Sequence, residues 1–260
     1  MTGAGQATPA VGHATAGARP RDIVLSVDVE RDWGSGGTRG IDEALPWLLD
    51  ELARRGARAT FFVVGELAER VSARLTPGGP HEVGSHGLTH RRLATLERAE
   101  LEHEIVTSRA RLEAQGHEVA GFRAPFLAAH VDQRQVLAEA GYAYDASPGR
   151  LGPSRQNLRR LVADGRGVPA LGEASLRLPG LPASLTWLRL THPLGRRLVG
   201  AGHQLSCHLH EFLDGPGGLP GWPAPLRRLH ARGAGGVARG VVAELLARPG
   251  YRWITAADWL

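Results

Sequence analysis

Two histidines four residues apart, His86 and His90 in "HEVGSHGLTH", follow directly on a short alternating apolar run. At that spacing they share one face of a helical turn, about 6 Å apart at the backbone, so both imidazoles reach a common divalent ion. A second candidate lies upstream. In "SVDVERDW" a strand projects Asp28 and Glu30 from one face, and Asp32 with them if the strand runs that far. Carboxylates packed together raise one another's pKa unless a cation sits among them, so this stretch asks for a counter-charge. Two histidines and one carboxylate form a three-ligand set that leaves a coordination position open for water, the arrangement of a hydrolytic metal site.

Three later stretches end on groups that suit such a site. "GFRAPF" presents Arg123, whose guanidinium can fix a carboxylate by paired hydrogen bonds. "YAYDASP" closes on Asp145, which either holds that arginine or caps the turn. "LSCHLHEFLD" puts His208 and His210 on one strand face, and either can supply a general acid.

The elements that must carry these residues alternate. "DIVLSVDVE" is a β-branched run that fits a buried strand, and "IDEALPWLLDELARRG" follows with helical spacing of Leu45, Leu48, Leu49 and Leu52, ended by Gly56. "ARATFFVVG" is a further apolar strand; helices then fall near 66–73, 95–115 and 131–140, and strands near 81–85, 118–122 and 142–145. Apolar strands separated by helices predict an α/β chain with a parallel sheet or barrel, whose C-terminal strand ends converge on one rim. From about 148 to 200 the pattern weakens into Pro, Gly and Arg, which predicts an irregular insertion. Regularity returns in "HQLSCHL", a helix near 236–247 and "YRWIT". Residues 1–20 have no hydrophobic periodicity and are expected to form a disordered tail before one domain over 21–260.

Composition narrows the function classes. The chain of 260 residues is long enough for a sizeable core, and nothing in it requires oligomerisation for stability. Its net charge of +5 comes from arginines alone, with no lysine, and these are scattered among glutamates as in "TLERAELEHEIVTSRARLEAQG". That is a solvated helix face rather than a phosphate-tracking patch, so no nucleic-acid partner is expected. The lone Cys207 excludes a disulfide framework and a thiolate zinc site, and its apolar-alternating surroundings predict a buried small residue. No stretch reaches the ~18 apolar residues of a membrane span, and the first residues have no apolar signal core, so a cytoplasmic protein is expected. Trp33, Trp187 and Trp222 fall in predicted loops, where they either stack on sugar faces or pin the loops down.

Taken in order, "SVDVE", "SHGLTH", "FRAPF", "YDAS" and "LSCHLH" resemble the five motifs of the polysaccharide deacetylase family, the metal-dependent carbohydrate N- and O-deacetylases of carbohydrate esterase family four, across residues 22 to 258. Three departures stand out. The family's common acidic motif has adjacent carboxylates, whereas this chain is similar to a subgroup with separated ones, Asp28-Val29-Glu30. Gly87 follows the first histidine in place of the usual Ser or Thr, and the last motif looks more like a His-Pro-Trp-Glu-Phe or His-Gly-Ile-Asp-Leu variant, which selects His208 over His210.

The resemblance implies a distorted (β/α) barrel of about seven parallel strands with its site at the C-terminal rim. It implies Glu30, His86 and His90 as ligands of a divalent metal, zinc by default, with Asp28 as base and His208 as acid. It also implies an Arg123–Asp145 pair that orients Asp28, and an oxyanion-binding backbone N–H near Phe126. The activity implied is removal of an acetyl group from an N-acetylated amino sugar in a glycan or glycoconjugate precursor. Three other readings share the fold: a deformylase of a lipid-linked amino sugar, an amidohydrolase of a small cyclic amide, and a catalytically silent saccharide-binding member.

Overall fold

A computed structural model describes residues 20–147, 158–161, 167–171, 184–194, 204–215 and 223–260. The expected N-terminal tail up to residue 19, and Trp222, lie outside these residues. In chain order the elements are β1 (Arg21–Val29), α1 (Leu45–Arg54), β2 (Thr60–Val63), α2 (Ala68–Ser72), β3 (Glu82–Ser85), α3 (Arg98–Glu113), β4 (Gly121–Phe122), α4 (Gln133–Glu139) and β5 (Tyr144–Asp145). They continue with β6 (Leu158–Leu161), β7 (Gly167–Leu171), α5 (Leu185–Leu190), β8 (Gln204–His208), α6 (Ala224–Ala231), α7 (Gly236–Leu246), β9 (Tyr251–Ile254) and α8 (Ala256–Trp259).

The strands form one curled sheet in the order β7-β6-β5-β4-β3-β2-β1-β8, with β9 on the first half of β1. Strands β1 to β5, β8 and β9 are parallel, which makes seven, as expected; β6 and β7 continue the sheet antiparallel beyond β5. Part of the segment expected to be irregular is therefore regular: a strand pair and a helix lie within it.

Period-2 alternation sorts the sheet into two faces. Leu25, Val27 and Val29 of β1 join the large core under the helices, whose other side is lined by Leu45, Leu48 and Leu52 of α1 and by Leu101, Ile105 and Leu112 of α3. Val24 of β1 packs instead with Phe62, Tyr144 and Ile254 in a smaller cluster on the concave face. Its register partner Gln204 of β8 and the pairs two and four steps further on are polar: Ser26 and Asp28 of β1, Ser206 and His208 of β8. The concave face thus passes from apolar to polar toward the C-terminal strand ends.

Glycines make room on this face. A Cβ on Gly121 would meet the Tyr144 ring at 2.1 Å, and one on Gly84 would meet the Phe62 ring at 2.7 Å. Gly121→Ala therefore forces the tyrosine out of its place, and urea denaturation is expected to show a loss of about 2–3 kcal/mol of stability.

Candidate active site

The rim is built from the residues that follow the strands. Glu30 comes directly after β1 and His86 directly after β3. His86 and His90 do not lie on a helical turn, contrary to expectation; residues 86–90 form an open loop with Gly87 at φ +74 and His90 at φ 62. The turn is imposed from outside. Glu104, on the buried face of α3, accepts the backbone N–H groups of Leu88 (2.8 Å) and Thr89 (3.0 Å) and the Thr89 hydroxyl. Ser108, one turn further along α3, donates to the Gly87 carbonyl. A side chain at Gly87 would stand 3.3 Å from the Glu104 carboxylate, so glycine serves here both for its conformation and for its size.

Glu30, His86 and His90 then converge. One ligand atom from each lies within 4.8 Å of the others, and among the described residues this is the group of His, Cys, Asp and Glu side chains so arranged. The His86 Nδ1 contacts the Arg123 carbonyl at 2.8 Å, and donation there leaves Nε2 with its lone pair facing Glu30 Oε2 at 3.8 Å. The His90 Nε2 lies 2.5 Å from the same Glu30 oxygen and is buried without a hydrogen bond of full geometry. A buried, orphaned ring nitrogen pointing at a carboxylate and a second imidazole is what a cation with bonds of about 2.0–2.2 Å would satisfy. The donor set fits a divalent metal.

Asp28 stands beside this set without joining it. Arg123 donates from Nη1 to Asp28 Oδ1 at 2.6 Å and from Nη2 to Ser26 Oγ at 2.9 Å, while its guanidinium lies over the Phe62 ring at 4.2 Å. Burial pushes the Asp28 carboxyl up, but Arg123, His86 and His208 outweigh it and hold the group at about 2. The register of β1 with β8 pairs Asp28 with His208, whose Nε2 lies 3.7 Å from Asp28 Oδ2. His208 rather than His210 therefore faces the carboxylates. Burial opposes a charge on His208, and Glu211, Glu30 and Asp28 overcome it, lifting its pKa to about 9. His210 lies further out, its pKa lowered to about 4 by burial and by His208, and its ring stacks on His230.

The expected Arg123–Asp145 pair is absent, and the reason is the face each residue occupies. Asp145 is in register with Phe122, whose ring belongs to the outer core, whereas Arg123, the next residue, points to the concave face. Asp145 instead accepts Gln133 Nε2 of α4 (3.0 Å) and the Ser147 N–H (2.8 Å), a turn cap. Asp32 is likewise structural. Its two oxygens accept the N–H groups of Arg39 and Gly40, both at 2.8 Å, and shape the loop into α1. Cys207 is buried with its thiol pKa pushed up by burial, as expected of a small core residue. Trp33 is partly exposed at the rim, edge-on to His230 at 5.0 Å, and Trp187 sits on α5 rather than in a loop.

Two acidic residues of the site escaped the sequence reading. Glu104 had a signal: it falls at helical spacing among Leu101, Ile105 and Ser108, a glutamate on a buried stripe. Glu211, fully buried, accepts from Thr186 and Arg189 of α5 and lies against His208. Its only sequence mark was standing three residues after His208.

A curled parallel sheet thus carries a two-histidine, one-carboxylate donor set at its C-terminal rim. The family model described as polysaccharide deacetylase matches residues 19–144, in line with the resemblance of the sequence motifs to that family. A chitooligosaccharide deacetylase of Rhizobium leguminosarum bv. phaseoli is 38% identical over 86 residues, covering 31% of this chain and 38% of the relative. The chain thus matches well under half the length of that relative. Among solved structures, a carbohydrate esterase family four pseudoenzyme from Bacillus anthracis aligns with TM-score 0.53 at 14% identity, over 93% of this chain and 66% of its own. A mutant of the peptidoglycan deacetylase PdaC from Bacillus subtilis aligns with TM-score 0.53 at 17% identity, over 92% of this chain and 90% of its own. Both share the fold. Among the described residues, no helix is long and apolar enough to cross a membrane.

The loop argument is testable through metal binding. Glu104→Ala is expected to weaken divalent-metal affinity about 10–100-fold in a chelator competition assay, since the Leu88 and Thr89 N–H groups lose their acceptor. His86→Ala and His90→Ala are expected to lose the ion altogether by elemental analysis, and Asp28→Asn to keep it; metal loss in Asp28→Asn would make that residue a ligand.

Proposed function

We propose that the chain is a metal-dependent hydrolase that removes the acetyl group from an N-acetylated amino sugar in a glycan or glycoconjugate precursor. The observation that carries this reading is the convergence of Glu30, His86 and His90 beside an ionised Asp28 and a protonated His208. Zinc suits two imidazoles and a carboxylate better than calcium or magnesium does. Held by those three residues, a divalent cation supplies water activation and polarisation of an acyl oxygen.

The residues of the chain do the rest. Asp28 accepts the proton of the attacking water, and Arg123 keeps it ionised and aimed. His208 gives its Nε2 proton to the departing nitrogen. Phe126, at φ 57 in the turn after Pro125, offers its N–H to the acyl oxygen; the turn's own hydrogen bonds are donated by Leu127 and Ala128. The relatives named for chitooligosaccharide and peptidoglycan deacetylation support an N-acetylglucosamine-containing substrate. Trp33 suits a sugar face.

Purified zinc-loaded protein is expected to release acetate from N-acetylglucosamine oligomers, and Asp28→Asn to lose at least about 10²-fold in turnover with its metal retained. Formate released from an N-formyl sugar in place of acetate would favour the deformylase, and ammonia or ring opening from a cyclic amide the amidohydrolase. Bound metal with saccharide binding and no hydrolysis of any of these would make it a silent member.

A further inference from the structure

We infer that Glu211 is the positioning residue of the general acid: its carboxylate holds the Nδ1 side of His208, and Thr186 and Arg189 of α5 hold the carboxylate. The inference rests on the deacetylase reading of the same site. Asp145, the carboxylate expected to hold Arg123, has no part in it.

The geometry divides the carboxylate in two. After β8 the chain enters a single tight turn, Leu209–Phe212, which folds Glu211 back beneath His208. Glu211 Oε2 accepts the His208 backbone N–H at 3.0 Å and lies 3.4 Å from His208 Nδ1. Glu211 Oε1 accepts the Thr186 hydroxyl at 2.7 Å and Arg189 Nε at 2.9 Å. If this were only a structural ion pair, Arg189 would be expected to close a two-pronged fork on the carboxylate. It does not. Arg189 Nη1 instead donates to the carbonyls of His230 and Arg232, both at 2.6 Å, which leaves Oε2 to the histidine.

His208 is thus held between two carboxylates, with Nδ1 toward Glu211 and Nε2 toward Asp28 Oδ2 at 3.7 Å. The charged and titratable groups around it are Glu211 and His210 beyond its own strand end, Asp28 and Glu30 from β1, His86 from β3, Arg189 from α5 and His230 from α6. Asp145 is not among them, since its partners are Gln133 and Ser147 on the outer face. During amide cleavage the C–N bond breaks with its electron pair going to nitrogen, the His208 Nε2 proton follows to that nitrogen, and the hydroxyl of the attacking water stays on the acyl carbon. The other water proton goes to Asp28. The proton on Nδ1 stays there, facing a Glu211 that stays ionised throughout.

The test uses the zinc-loaded full chain and its Glu211→Gln and Glu211→Asp variants. Imidazole ¹⁵N spectra, with His208 identified by its loss in His208→Gln, are expected to find Nδ1 protonated in the parent protein at neutral pH. Glu211→Gln is expected to lower turnover of an N-acetylglucosamine oligomer about 10²-fold, and of 4-nitrophenyl acetate no more than about 3-fold, because nitrophenolate leaves without a proton. Glu211→Asp should restore at least about ten-fold of the first loss, with metal content equal in all three. An Nδ1 without a proton in the parent protein overturns the inference, as does an equal loss on both substrates. If Glu211→Gln does not fold, the parent spectrum and Glu211→Asp decide. If the parent protein hydrolyses neither substrate, the deacetylase reading fails, and the spectrum still decides whether Glu211 holds His208.

Discussion

Burying negative charge at one end of a sheet is the constraint on which this molecule turns. Asp28, Glu104 and Glu211 are almost wholly buried, and Glu30 nearly so. Left alone, Asp28, Glu30 and Glu211 would be driven by burial to bind a proton. Each has instead been given a different kind of partner. Asp28 has the Arg123 guanidinium, Glu104 has backbone N–H groups, Glu211 shares a guanidinium, a hydroxyl and an imidazole, and Glu30 faces two ring nitrogens. The last pairing is incomplete in hydrogen-bond terms, and this is where a cation belongs.

The partners come from the whole fold. Arg123 reaches Asp28 from β4, three strands away in the sheet, and rests on Phe62 and Ser26 as it does so. Glu104 is on a helix behind the sheet and controls the histidine loop through its backbone. Arg189 and Thr186 come from the short helix within the stretch of weakest sequence pattern. Backbone strain collects at the same rim: His90, Phe126 and Leu127 all have positive φ, and the His90 ring lies against that of Phe126 at 4.7 Å. Such conformations persist only where surrounding contacts over-determine them, and here Glu104 and the packed rings do so.

Much of this was readable in the chain. Apolar runs separated by amphipathic stretches marked the parallel strands, and strand periodicity put Asp28 with Glu30; His210, expected on one strand face with His208, instead lies in the turn after β8. The helical turn proposed for His86 and His90 failed because spacing alone does not distinguish a helix from a loop whose backbone groups are satisfied by a distant glutamate. The pairing of Arg123 with Asp145 failed because a one-residue step along a strand changes the face, and short strands of two residues give no pattern from which to count.

By itself the sequence determined which residue types are present to carry chemistry and, along each longer strand, which share a face, because both follow from residue type and a local period of two. Only the tertiary structure decided who meets whom: that Asp28 takes His208 as its neighbour, that Arg123 serves Asp28 and not Asp145, and that Thr186 and Arg189 hold Glu211. Those choices depend on how segments far apart in the chain are packed together, which no local stretch encodes.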